Sequence, residues 1–214
     1  MPIKFVSLNE EYINEIKKEG FEGICGKVED YEIKRKTYYV SPANSLCFMD
    51  GGIDYALSRI IFPNIESEIK KLVRQYGKIN MLGRKYLPIG SSIIMDIGTK
   101  ALVVAPTMLL PQNVNMTNNA YYATMAILYN ILINKKESLN EIDIIFTSLC
   151  CGYGKMNTLT SIKQILKGIN DYKNYNPTVI NDNIIIHEPN LLEQPKYYQN
   201  TEFFNINASE IIIC

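Results

Sequence analysis

The sequence has no tryptophan, one histidine (His187) and no net charge, its 22 basic residues being matched by 22 acidic ones. A neutral chain projects no broad field, so nothing in its bulk charge draws it to nucleic acid or an anionic membrane; only local patches could do so. A single histidine leaves few nitrogen ligands for a metal. The five cysteines (Cys25, Cys47, Cys150, Cys151 and Cys214) are an odd number and form no C-x-x-C pair, so neither a structural zinc nor any other metal or cofactor is expected. Unpaired thiols fit a reducing compartment. The start, Met1-Pro2-Ile3-Lys4, has no charged leader before an apolar core, so a cytoplasmic location is expected. No apolar run approaches the roughly 18 residues of a membrane span. G-x-G-x-x-G does not occur, and Gly26-Lys27 is followed by Val28 rather than Ser or Thr. These absences exclude an ordinary dinucleotide dehydrogenase and a P-loop NTPase.

What is present is an ordinary globular mix, 47% hydrophobic and 21% charged over 214 residues, enough for one domain with an appendage. The runs Ile3–Val6 and Thr37–Val40 read as strands, and Phe21–Val28 as a turn entering one. Ser91–Asp96 and Ala101–Ala105 read as two strands joined at Gly98, and Asp143–Leu149 as a continuous apolar strand. Helical spacing runs through Glu10–Glu19, Ile53–Ile61, Ile65–Tyr76, Asn118–Ile133 and Leu159–Ile169, with Asn9 and Thr117 as candidate caps. Apolar strands between amphipathic helices indicate a mixed or parallel sheet covered on both faces. From about Asn170 the chain becomes rich in Asn, Tyr and Pro. This part reads as a C-terminal extension packed on the main domain, with one strand-like run at Val179–Ile186 and an apolar end at Ile211-Ile212-Ile213.

Two loops follow buried strands: Ser41-Pro42-Ala43-Asn44-Ser45 through Gly51-Gly52-Ile53-Asp54, and Cys150-Cys151-Gly152-Tyr153-Gly154-Lys155. Glycines at strand ends let backbone N–H groups approach an anion. Two facing loops of this kind would grip a diphosphate. Plainer readings stand beside this one. The glycines can be turn residues, Asp54 a carboxylate answering a helix dipole, Asn44 a turn residue bonding its own backbone, Tyr153 a packing residue and Asp30 a surface charge. No Cys–His signature joins Cys150-Cys151 to His187, Lys34-Arg35-Lys36 reads as a solvated turn, and 15 tyrosines without a basic stripe make no nucleic-acid site.

The stretch from Tyr39 to Asp54 resembles the first signature of macro domains, in which a buried strand ends in Ala-Asn and a glycine run leads to Val/Ile-Asp. Leu102–Pro106 is similar to the family's later core strand. Ile144–Gly154 resembles its second signature, an apolar strand and a Gly-aromatic-Gly loop. Together these cover about residues 24 to 168. The resemblance implies a three-layer α/β/α domain over residues 1–168 with a mixed sheet, the extension being 169–214. It also implies a cleft that takes ADP-ribose, free or carried on a modified protein.

On the family's pattern, Asp30 stands where an acidic residue accepts from the adenine amino group. If Gly26-Lys27 is the true equivalent, that acid is lost. Asn44 matches the asparagine at the distal ribose, and Gly51 and Gly52, with Ile53 next, match the end of the glycine run. Asp54 matches the aspartate that positions or activates water in hydrolytic members. Cys151 stands at the first glycine of the second loop, and Gly152, Tyr153 and Gly154 match its phosphate-binding part. Met49-Asp50 replaces two glycines and adds a negative charge. The expected activity is removal of ADP-ribose from modified side chains or processing of ADP-ribose 1''-phosphate, with Asn44 and Asp54 acting at the distal ribose. The alternatives are a binding module without turnover, and a nucleic-acid or protein interaction domain on the same scaffold.

Overall fold

The computed structural model describes residues 2–80 and 82–173, and beyond them the backbone of strands 178–181, 184–186 and 205–207. In chain order the elements begin with β1 (Ile3–Ser7), α1 (Glu10–Lys18), β2 (Glu22–Cys25) and a 3₁₀ turn at Val28–Asp30. Next come β3 (Lys36–Ser41), α2 (Gly52–Ala56), which runs into a π-helical turn at Leu57–Ile61, and α3 (Ile65–Tyr76). A short ribbon, β4 (Lys78–Ile79) with β5 (Lys85–Tyr86), precedes β6 (Ser92–Ile97) and β7 (Lys100–Val104). Then α4 (Asn119–Tyr129) ends in a second π-helical turn at Asn130–Asn134, followed by β8 (Ile142–Phe146), α5 (Thr158–Lys173), β9 (Thr178–Asn181), β10 (Ile184–Ile186) and β11 (Asn205–Asn207).

Seven strands form one sheet in the order β11-β6-β7-β3-β8-β1-β2. β6 and β7 pair antiparallel, and every other neighbouring pair is parallel, so the sheet is mixed. The turn between β6 and β7 needs the positive φ of Gly98 (64°). Alternate residues of the central strands enter opposite layers. Tyr38, Val40, Val103, Ile144 and Phe146 pack with α1, α4 and α5, while Tyr39, Leu102, Val104 and Ile145 pack with α3 and Leu57. β3 and β8 are therefore buried on both faces, which is why they read as unbroken apolar runs.

Local chemistry explains most boundaries. Asn9 caps α1, its side chain accepting from the Tyr12 N–H at 3.0 Å. Thr117, expected to cap α4, stands one residue before the N-cap position, which Asn118 holds without a side-chain bond; its hydroxyl oxygen accepts from the Asn119 N–H at 3.4 Å and its hydroxyl donates to the Val114 carbonyl at 2.7 Å. α5 begins instead on Asn157, whose side chain accepts from Leu159 N–H at 3.0 Å. At the end where β3 and β8 begin, Asp143 is buried and ringed by partners. Arg35 donates to it from Nε at 2.9 Å and Nη2 at 2.6 Å, and the Tyr31 hydroxyl donates at 2.8 Å. Lys4 stands 3.5 Å away. Burial works to raise the Asp143 pKa, but the Arg35 and Tyr31 hydrogen bonds and the Lys4 charge outweigh it and hold the carboxyl below its ordinary value.

Candidate functional site

β7, β3 and β8 are adjacent and parallel, so the loops after all three open at one end of the sheet. That is the end at which ligands enter open α/β sheets. A cleft of about 210 Å³ lies there. The loop after β3 supplies Asn44, Phe48 and Asp50 through Asp54, the loop after β7 supplies Thr107, Met108 and Pro111, and the loop after β8 supplies Cys150, Gly152 and Tyr153.

The middle segment ties the outer two together. Thr107 N–H donates to the Ala43 carbonyl at 2.9 Å and Ser45 N–H to the Met108 carbonyl at 2.8 Å. On the other side Val114 N–H donates to the Gly154 carbonyl at 2.8 Å. Gly154 permits that approach, because a Cβ there would lie 2.3 Å from the Cys150 carbonyl oxygen and 2.8 Å from Val114 Cγ2. Across the cleft, a Cβ on Gly51 would stand 3.7 Å from Tyr153 Cε2, so the two glycine loops meet face to face. Tyr153 is 71% exposed rather than packed in the core.

Asn44 is largely buried and its amide is committed to its own loop. Oδ1 accepts from the N–H groups of Leu46 (3.0 Å) and Phe48 (3.4 Å), and Nδ2 donates to the Phe48 carbonyl at 3.1 Å. These bonds hold the sharp turn in which Cys47 adopts a left-handed φ of 56°. The Cys47 thiol is buried, which pushes its pKa up to about 12. Cys150, also left-handed at φ 64°, is likewise pushed up to about 12 by burial. Neither thiol is a nucleophile at neutral pH.

Asp54, in the first turn of α2, accepts a hydrogen bond from the Ser41 hydroxyl at 2.6 Å. Burial raises its pKa, the Ser41 bond lowers it, and the charges of Asp50 and Glu66 raise it again, leaving it at about 7. The carboxyl is therefore poised between its two protonation states near neutrality.

The structure brings seven of the sequence-predicted residues to one cleft: Asn44, Gly51, Gly52, Ile53, Asp54, Gly152 and Tyr153. Three lie elsewhere. Asp30 is exposed and lines a separate hollow of about 350 Å³ with Lys4, Gly26, Lys27 and Tyr31 beside β1 and β2. Cys151 turns its thiol toward the Leu149 carbonyl at 3.4 Å. Gly154 is buried behind the loop as a packing position. His187, Ile211-Ile212-Ile213 and Cys214 fall outside the described residues. Thr107, Met108 and Pro111 had no sequence signal, since a strand-end loop far along the chain shows nothing of what it pairs with. Among the described residues no cluster of His, Cys, Asp and Glu could hold a metal, and no helix is long and apolar enough to cross a membrane.

No protein-family model matches the sequence, and no curated protein matches it. Solved structures do. A variant of the Oceanobacillus iheyensis macrodomain with ADPR is 17% identical, with a TM-score of 0.54, over 71% of this chain and 76% of that one. The same macrodomain with ADP is 19% identical, with a TM-score of 0.52, over 68% and 72%. With MES bound it is 19% identical, with a TM-score of 0.52, over 69% and 73%. The mixed sheet between two helical layers and these matches define the class: the chain has the macro-domain fold.

Proposed function

We propose that the chain binds ADP-ribose, free or carried on a modified protein, in the cleft between the two glycine loops, and hydrolyses the bond at the distal ribose. The observation that carries the reading is Asp54, a carboxyl with a pKa of about 7 lining the cleft formed where these loops meet. The likeness to macrodomains with ADPR and ADP supports the choice of ligand. At about 210 Å³ the cleft is smaller than the ~300 Å³ from which enclosing ligand pockets start, so it takes the distal ribose and diphosphate and leaves the adenosine on the open surface. In the reaction, water forms a bond to the anomeric carbon while the bond from that carbon to the leaving group breaks, its electron pair going to the leaving atom. Ionised Asp54 orients the water and takes its proton. Ser41 fixes the carboxyl. Asn44 does not reach the ligand as a free amide; it holds the loop that shapes the wall.

That commitment of Asn44 favours a second reading, binding without turnover. Release of ADP-ribose from an ADP-ribosylated protein separates the two. Release by the native chain, lost in Asp54→Asn while ADP-ribose still binds, supports hydrolysis. Binding without any release leaves a reader module, and no binding overturns both.

A further inference from the structure

We propose that Asp50 determines which group the ligand may carry at its reacting end, admitting a cationic one, an arginine guanidinium, and rejecting a phosphate. The inference rests on the ADP-ribose reading of the cleft and narrows its substrate.

Among the described residues two carboxylates line the cleft, Asp50 and Asp54, and no lysine or arginine does. Asp50 precedes Gly51, the residue against Tyr153, so its charge sits where the two loops meet. It is exposed, with no hydrogen bond or ion pair to any described residue, and its charge is felt by Asp54. The neighbouring cations are already spoken for. Glu66 accepts from Lys70 at 2.6 Å and from Arg59 at 3.0 Å, and the Lys70 ammonium also lies 4.1 Å from the centre of the Phe48 ring.

The ligand's end therefore meets unbalanced negative charge. A terminal phosphate dianion would be repelled by it, while the diphosphate further along can rely on backbone N–H groups. A guanidinium is the opposite case. Its planar fork matches a carboxylate, and its face stacks on an aromatic ring. Asp50 and the exposed ring of Tyr153 line one cleft and offer both. With such a substrate, water adds its oxygen to the anomeric carbon and the carbon–nitrogen bond breaks. The nitrogen keeps the electron pair and gains a proton, so the products are ADP-ribose and an unmodified arginine side chain.

The test compares three ligands by calorimetry: ADP-ribose, ADP-ribose 1''-phosphate, and ADP-ribose N-linked to an arginine peptide. All are measured in Asp54→Asn, so that none is consumed. The arginine-linked ligand is expected to bind at least about 10-fold tighter than the 1''-phosphate. Asp50→Asn should shrink that ratio about 5-fold and Asp50→Lys should invert it. If ADP-ribose binds but neither substitution moves the ratio, Asp50 has no such role and the proposed function stands. If none of the three binds, the cleft reading falls and this inference with it.

Discussion

The two ends of the sheet each hold a carboxyl withdrawn from water, Asp143 buried and Asp54 half-buried, and they treat it in opposite ways. Asp143, at the start of β8, receives Arg35, Tyr31 and Lys4, and its pKa is lowered. Asp54, beyond the end of β3, receives among the described residues only the Ser41 hydroxyl and feels the charges of Asp50 and Glu66, and its pKa climbs to about 7. Burial is common to both; the partners decide the sign. A carboxylate wrapped in cations stabilises the fold and is chemically inert. One left short of partners in a cleft costs stability and can exchange a proton at neutral pH, a pattern found at functional sites.

The largest expected break in that contrast is chemical. Asp54→Asn should lower the rate of ADP-ribose release by about 100-fold or more, read by product formation from a modified protein, with ADP-ribose affinity kept. The same assay across pH should show the rate rising as Asp54 ionises through about 7. Next is Gly154→Ala, which drives a Cβ into the Cys150 carbonyl and should cost about 2 kcal/mol in urea unfolding, with weakened ligand binding. Arg35→Met leaves Asp143 short of its main partner and should also cost about 2 kcal/mol, while ADP-ribose affinity stays unchanged because the site is at the other end.

The smallest effect sharpens the comparison through pH. Asp143 has a depressed native pKa, so its stabilisation is present above the ordinary carboxylate range and is lost as pH falls through it. Asp54 has a raised one, so its native state holds extra proton between about pH 4 and 7, and stability is lost as pH rises through that window. Asp54→Asn should therefore melt higher than the native chain at pH 8, by about 3 °C, and at the same temperature at pH 4. Equal melting at both pH values would show that the carboxyl is not strained.

Much of this was legible in the residues. The spacing that predicts a helix over Ile65–Tyr76 matches α3 at both ends, and Thr37–Val40 lies inside β3, because strong periodicity and full burial leave plain patterns. The π-helical turns at Leu57–Ile61 and Asn130–Asn134 share their composition with ordinary helix, and β4 and β5 are two residues each, too short for a pattern. In the site, the run from Asn44 to Asp54 pointed to a loop that lines the cleft, but side-chain commitments are tertiary facts. Nothing in the sequence shows that Asn44 spends its amide on Leu46 and Phe48, that Ser41 reaches Asp54, or that Asp30 faces a different hollow from Asn44.

The account rests on the cleft between Gly51 and Tyr153 holding a sugar nucleotide. Calorimetric titration of the full chain with ADP-ribose tests this most directly. One saturable site per chain, displaced by ADP, is the predicted result; no binding heat up to millimolar ligand would contradict it.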